Sequence, residues 1–122
     1  MTDPTRQLVV VITHGADHEL SSIALTIANR GLTEGLKVSA FLTSAAVDLV
    51  RKCAIDGAAA PQFEPLAALI KNFAARGGVL WACTPCVKAR GYEQADLIDG
   101  VEITGSSKMH QLIKAGAATL SF

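Results

Sequence analysis

Residues 79–91 read V-L-W-A-C-T-P-C-V-K-A-R-G and join two kinds of regular structure. Residues 79–82 form a short apolar run, which is typical of a strand buried on both faces. Thr84 is a candidate helix N-cap, Pro85 suits the first helical position, and Gly91 would follow the last helical residue. The stretch therefore predicts a strand that leads directly into a short helix, which is the repeating unit of an α/β fold.

The rest of the chain alternates between the same two patterns. Further strands are predicted over residues 8–12, 38–42, 101–104 and 119–122. The segments between most of them have apolar residues at intervals of three and four, as on one face of a helix. The alternation predicts a mainly parallel five-stranded sheet covered on both faces, which is a three-layer α/β/α sandwich.

Capping residues set the expected ends of the helices. Asp17 is the predicted N-cap of the first helix, which would end at Gly31 or Gly35. Ser44 is the predicted cap of a short helix, and residues 53–64 lack any period and predict a mobile loop. The inner face of the short helix would be formed by Ala46, Leu49, Val50 and Cys53. Pro65 suits the first position of the next helix, whose apolar stripe would be Leu66, Leu69, Ile70 and Phe73. The last helix would be capped by Ser106, carry Met109, Leu112 and Ile113, and end at Gly116.

Composition restricts the class of protein. The chain has 122 residues, half of them hydrophobic, which suits a single folded domain over residues 1–122. Equal numbers of basic and acidic residues give no electrostatic reason to expect binding to nucleic acid or to a membrane surface. The mean hydropathy is positive, so we expect some apolar surface to contact another subunit in a homo-oligomer.

The predicted location is the cytoplasm. Only three cysteines are present, which does not suggest a secreted disulfide framework. The opening residues M-T-D-P-T-R include an early acid and no following apolar region, so no signal peptide is expected. No apolar run approaches the roughly 18 residues that cross a bilayer.

The C-x-x-C at Cys83 and Cys86 is the strongest chemical signal in the sequence. Both thiols would lie near the start of the predicted helix, with Lys88 and Arg90 supplying further positive charge. Because the thiolate is the form that attacks sulfur, this arrangement favours a nucleophile or sulfur acceptor. The structural alternative is that both are small core residues, since free cysteine is among the most buried residue types.

Two other interpretations of the C-x-x-C remain open. A thioredoxin-like fold is not expected, because the motif follows the third strand and its helix ends at Gly91, but a reversible Cys83–Cys86 disulfide is possible. A zinc site could use both cysteines and His14, which follows the first strand. His14 could instead orient a thiolate, but only if the second strand does not lie between the first and third and hold the groups about 10 Å apart.

The motif and its surroundings resemble one known family. The stretches G-G-V-L-W-A-C-T-P-C-V-K-A-R-G-Y, D-L-I-D-G-V-E-I-T-G and I-K-A-G-A-A-T-L-S-F are similar to the DsrE/DsrF-like (TusD-related) family, over nearly the whole chain. The resemblance implies a three-layer α/β/α fold and homo-oligomers, often trimers or hexamers. In the family's sulfur-relay members, a cysteine at a fixed interval before R-G accepts persulfide sulfur, and the matching residue here is Cys83.

The second thiol departs from the relay pattern. Cys86 matches a C-x-x-C branch of the family, and it could resolve a persulfide on Cys83 into a disulfide. The predicted function is therefore sulfur handling, with Cys83 as acceptor, Cys86 as resolving thiol, His14 as a possible orienting group and no cofactor. Sulfur donor and acceptor proteins would be the partners. The alternatives are a non-catalytic oligomeric module that holds a small ligand or zinc at the strand ends, and a thiol/disulfide redox protein.

Overall fold

The computed structural model describes residues 6–122, so most of the N-terminal stretch on which the signal-peptide prediction rests lies outside the described residues. The five strands are β1 (Gln7–Ile12), β2 (Lys37–Leu42), β3 (Val79–Cys83), β4 (Val101–Thr104) and β5 (Ala118–Ser121). The four α-helices are α1 (Glu19–Thr33), α2 (Leu66–Ala75), α3 (Thr84–Ala89) and α4 (Ser107–Lys114). Two 3₁₀ helices cover Ser44–Val50 and Gln94–Asp96.

All the strands are parallel and form one sheet in the order β4-β3-β2-β1-β5. The predicted fold class is therefore confirmed. The order also decides the question that the sequence left open, because β2 lies between β1 and β3. Residues that follow β1 and β3 are consequently separated by two strand spacings, or about 10 Å.

Strand order and helix position are linked. From β1 to β4 the chain moves across the sheet in one direction, and α1 and α2 pack together above the central strands. It then returns to the far edge through α4, which contacts β1. Because parallel crossovers are right-handed, reversing the direction of travel moves the connecting helix to the other face. The second face is thus crossed by α4, a helix of eight residues.

The main core lies between the sheet and α1 and α2. Alternate residues of β1 enter it, and the predicted stripe of α2 is confirmed, since Leu66, Leu69, Ile70 and Phe73 are all buried. Trp81, the only tryptophan, is buried in β3 as expected. Burying a large apolar side chain contributes about 1.5–3 kcal/mol, so these positions supply much of the stability. No helix among the described residues is long and apolar enough to cross a membrane.

Several predicted caps are wrong by one residue. The N-cap of α1 is His18 rather than Asp17, because the Nδ1 atom of His18 accepts a hydrogen bond of 3.1 Å from the N–H of Leu20. Gly35, with φ of +92°, follows the end of α1, whereas Gly31 lies inside the helix. The Ser44–Val50 helix is capped by Thr43 instead of Ser44, and α3 is capped by Cys83 instead of Thr84. Pro65 is the cap of α2 instead of its first residue.

Cys53 does not occupy the predicted inner face of the short helix. Ala46, Leu49 and Val50 are buried as expected, but the helix ends at Val50. Cys53 then lies in a turn with φ of +64° and is exposed. The predicted loop over 53–64 is a series of turns before α2.

Helix α4 begins directly after Ser106, which is its N-cap as predicted, but none of its residues is buried. The predicted stripe of Met109, Leu112 and Ile113 is present in the sequence, yet Ile113 is 40% exposed. Strand β5 beside it is exposed along its length. The α4 side of the sheet is therefore covered much less completely than the α1 side.

Candidate functional site

The two cysteines of the C-x-x-C lie at the carboxyl end of β3, where ligands gather in parallel α/β sheets. Cys83 is the last residue of the strand and the cap of α3, and Cys86 is in the first turn of that helix. Both are half-buried against the edge of the main core. Their sulfur atoms are 3.0 Å apart and hydrogen-bonded, with both thiols free.

A backbone group that the sequence did not indicate completes the contact. The N–H of Ser44, just beyond the end of β2, donates a hydrogen bond of 3.1 Å to the sulfur of Cys86. Ser44 has φ of +51°, in the left-handed region that few residues other than glycine adopt. Adjacent parallel strands β2 and β3 bring these groups together, although 42 positions separate them in the chain.

The two thiols have different surroundings. Burial raises the pKa of the Cys83 thiol above its ordinary value, and the hydrogen bond with Cys86 raises it further. The sequence prediction of a readily ionised thiol at Cys83 depended on the start of α3, a helix of only six residues. In the folded chain a backbone hydrogen bond from Cys86 lowers the pKa of Cys83, but burial and the neighbouring sulfur outweigh it.

The two predicted cations differ in position. Lys88 lies in the last turn of α3 and is exposed, at the end of the helix away from the sulfurs. The Nη1 atom of Arg90 donates a hydrogen bond of 3.2 Å to the carbonyl oxygen of Cys86, and its Nε atom lies 3.8 Å from the carboxylate of Asp48. Arg90 is thus tied to the cysteine backbone, while stabilisation of a thiolate by either cation stays a prediction.

Asp48 belongs to a second contact that the sequence did not reveal. Its carboxylate accepts a hydrogen bond of 2.6 Å from the hydroxyl of Tyr92, and this bond raises the pKa of Tyr92. The guanidinium of Arg51 lies 5.0 Å from the centre of the Tyr92 ring, within the range of a cation–π contact. Tyr92 directly follows the R-G dipeptide, which was the only local signal that could have indicated it.

A surface pocket of about 470 Å³ adjoins this network. Asp48 and Tyr92 line it together with Asp17 and Arg51, so its wall carries charges of both signs. The pocket opens at the same edge of the sheet as the cysteines. It offers polar groups to a small molecule that approaches the carboxyl ends of the strands.

His14 is not brought beside the cysteines. It follows β1, so β2 lies between it and Cys83, and its ring hydrogen-bonds weakly to Thr13 at 3.4 Å. The ring also lies 4.1 Å, centre to centre, from that of His18. Within residues 6–122 no three side chains of His, Cys, Asp or Glu come together in a way that could hold a metal ion. The alternative zinc set of Cys83, Cys86 and His14 is therefore not assembled.

Comparison with known proteins identifies the family. The model of the DsrE/DsrF-like family matches residues 6–122. Protein MJ0989 of Methanocaldococcus jannaschii is 33% identical over 108 residues, covering 88% of this chain and 89% of that protein. Protein MK0008 of Methanopyrus kandleri is 34% identical over 95 residues, covering 78% and 73% of the two chains.

Solved structures agree on the fold. YchN from Escherichia coli superposes with a TM-score of 0.79 at 21% identity, over 98% of this chain and all of that one. MTH1491 from Methanobacterium thermoautotrophicum gives a TM-score of 0.74 at 14% identity, over 98% of this chain and all of that one. At these identities the likeness concerns the fold alone. With the family match over residues 6–122 and the two relatives, it follows that the chain belongs to the DsrE/DsrF-like family.

Proposed function

We propose that this protein is a single-domain sulfur carrier whose Cys83–Cys86 pair accepts a sulfane sulfur from a persulfide donor. The observation that carries the proposal is the 3.0 Å distance between two free thiols at the carboxyl edge of the sheet. A thiolate attacks the outer sulfur of a persulfide, and a second thiol this close is able to attack the product. Membership of a family related to sulfur relay supports the same chemistry.

The test is intact-mass spectrometry after incubation with cysteine persulfide. Cys53 is exposed and would react on its own account, so every sample carries Cys53→Ser. We expect the remaining pair either to hold one added sulfur or to form a disulfide with release of one hydrosulfide. The double variant Cys83→Ser/Cys86→Ser should do neither. A C53S protein that stays unmodified and releases no sulfide would refute the proposal.

A thiol/disulfide redox protein is the second candidate, and the same short distance between the sulfurs favours it. The two functions differ in what they need from the partner molecule. Sulfur handling predicts one hydrosulfide per disulfide formed when the donor is a persulfide. A redox protein would be oxidised equally well by a simple disulfide of the same thiol, without sulfide release. Measuring sulfide against disulfide with both donors separates the candidates.

A homo-oligomer, a trimer or a hexamer, is part of the proposal. No residue of α4 is buried, and Val79 on the second face of the sheet is 42% exposed. A second copy covering this side would bury the apolar stripe of α4. We expect Ile113→Asp to lower the mass measured by light scattering to that of one chain. Ala68 is exposed on α2, which covers the opposite face of the sheet, and Ala68→Asp should leave the mass unchanged. Equal masses for both variants would refute this interface.

The chemistry requires two reduced thiols in the resting protein. The cytoplasmic location predicted from the sequence suits this requirement, because a reducing compartment keeps thiols free. Donor and acceptor proteins stay part of the proposal. Lys88 and Arg90 are proposed to favour the thiolate by their charge, with Arg90 acting at shorter range through the Cys86 carbonyl.

A further inference from the structure

We infer that Cys86, and not Cys83, is the thiolate that receives the sulfur, and that Cys83 is the resolving thiol. The inference rests on the proposed function and reverses the order of roles expected from the position of Cys83 before R-G. Three groups carry it: the N–H of Ser44, the sulfur of Cys83, and the guanidinium of Arg90.

The N–H of Ser44 brings to the Cys86 sulfur a donor from outside the C-x-x-C segment. It is 3.1 Å from the sulfur of Cys86, and an N–H group is able only to donate. A hydrogen bond to a charged acceptor is stronger than one to a neutral acceptor, so this contact favours the ionised form of Cys86. The left-handed conformation of Ser44 is costly for a residue with a side chain, and such strain is concentrated at functional positions.

The proton of the pair then belongs to Cys83. In the structure the Cys86 thiol donates the hydrogen bond of 3.0 Å to the sulfur of Cys83. Once Cys86 is ionised it has no proton to donate, so the Cys83 thiol becomes the donor across the same distance. Burial also raises the pKa of Cys83, which holds that thiol in its protonated form. Arg90 adds positive charge at the Cys86 carbonyl. The proposed pair is therefore a nucleophilic sulfur at Cys86 and a protonated thiol at Cys83.

The reaction balances in two steps. The Cys86 thiolate attacks the outer sulfur of a persulfide R–S–SH, a bond forms between the two sulfurs, and R–S⁻ leaves with the electron pair. Cys83 then gives up its proton and attacks the sulfur of Cys86, which forms the Cys83–Cys86 disulfide and expels HS⁻. The transferred sulfur is reduced to sulfide while the two thiols are oxidised. A low-molecular-weight thiol must later reduce the disulfide.

Single variants in the C53S protein test the order of roles. We expect Cys83→Ser to keep the acceptor and to accumulate the mass of one added sulfur, because nothing resolves it. Cys86→Ser should gain no sulfur on the same time scale. Sulfur on C86S and not on C83S, or on both alike, overturns the assignment while leaving the proposed function standing. If the C53S parent itself neither gains sulfur nor releases sulfide, the proposed function fails and the inference with it.

Alkylation rates provide a readout that does not depend on a sulfur donor. At neutral pH the thiol of C83S should react with iodoacetamide at least about tenfold faster than that of C86S, since a charge-assisted hydrogen bond favours the thiolate. The fluorescence of Trp81 checks folding in each variant. Equal rates, or a faster C86S, would overturn the inference.

Discussion

The hydroxyl of Tyr92 donates a hydrogen bond of 2.6 Å to the carboxylate of Asp48, joining the segment after α3 to the Ser44–Val50 3₁₀ helix. Ionising Tyr92 would remove this donor and place a negative charge beside a carboxylate. The bond therefore raises the pKa of Tyr92. Its contribution to stability is complete below the ordinary pKa of tyrosine and is lost as the pH rises through the raised value.

This contact gives the first prediction. Tyr92 is the only tyrosine, so tyrosinate absorbance reports it alone. We expect the titration midpoint to lie above about 10, the ordinary value, and to fall towards it in Asp48→Asn. Glu34→Gln is the control, because Glu34 pairs with Arg30 just after the end of α1, and it should not change the midpoint. A native midpoint at or below the ordinary value would contradict the contact.

The second prediction concerns the tether between Arg90 and Cys86. Arg90→Gln removes the guanidinium that donates to the Cys86 carbonyl and lies beside the Asp48 carboxylate. We expect alkylation of Cys86 in the C53S/C83S protein to slow several-fold, because positive charge near a thiol favours its ionised form. Lys88→Gln, which removes an equal charge from the far end of α3, should have a smaller effect. Equal slowing by both variants would mean that net charge, rather than the Arg90 contact, matters.

The third prediction tests the unexpected cap of α1. His18→Ala removes the acceptor for the N–H of Leu20 and should lower the free energy of unfolding by about 1 kcal/mol. His18→Asn supplies a side-chain oxygen in place of the imidazole nitrogen and should avoid most of the loss. Asp17→Ala, at the cap predicted from the sequence, should cost less than His18→Ala. Urea unfolding followed by Trp81 fluorescence measures all three, and a larger loss for D17A would contradict the assignment of the cap.

The fourth prediction concerns the close approach of Gly78 to Phe73. A Cβ atom at Gly78 would lie 2.5 Å from the ring of Phe73, a side chain with no exposed surface. The ring has no room to move, so Gly78→Ala should destabilise the protein by about 1–3 kcal/mol. Gly105→Ala introduces the same methyl group into open space and should cost far less. Denaturant midpoints compare the two, and equal losses would contradict the overlap with Phe73.

The sequence alone determined the kinds of element and much of their placement. The apolar runs predicted all five strands, and the one over 101–104 agrees with β4 at both ends. These signals are local in sequence, since short runs rich in β-branched and other apolar residues are typical of buried strands. The caps were less well predicted: an aspartate at position 17 and a histidine at position 18 compete for one helix end, and only the geometry of the entering chain decides which accepts the bond.

The candidate site divides in the same way. The junction of β3 with α3, both cysteines and the terminating Gly91 could be read from one continuous stretch. The N–H of Ser44 and the carboxylate of Asp48 could not, because they come from the end of β2 and the helix after it, 42 and 44 positions from the residues they contact. Strand order decides which of these distant groups meet.

The strand order also separates His14 from the two cysteines. Any arrangement of the five strands keeps His14 at the end of β1, so the sequence was compatible with a Cys–His pair. Placing β2 between β1 and β3 depends on how the helices pack across the whole sheet, which is a property of the folded chain. The amino-acid sequence thus determined that two thiols lie at the end of a strand. Tertiary packing determined that the Ser44 N–H, and not His14, lies beside them.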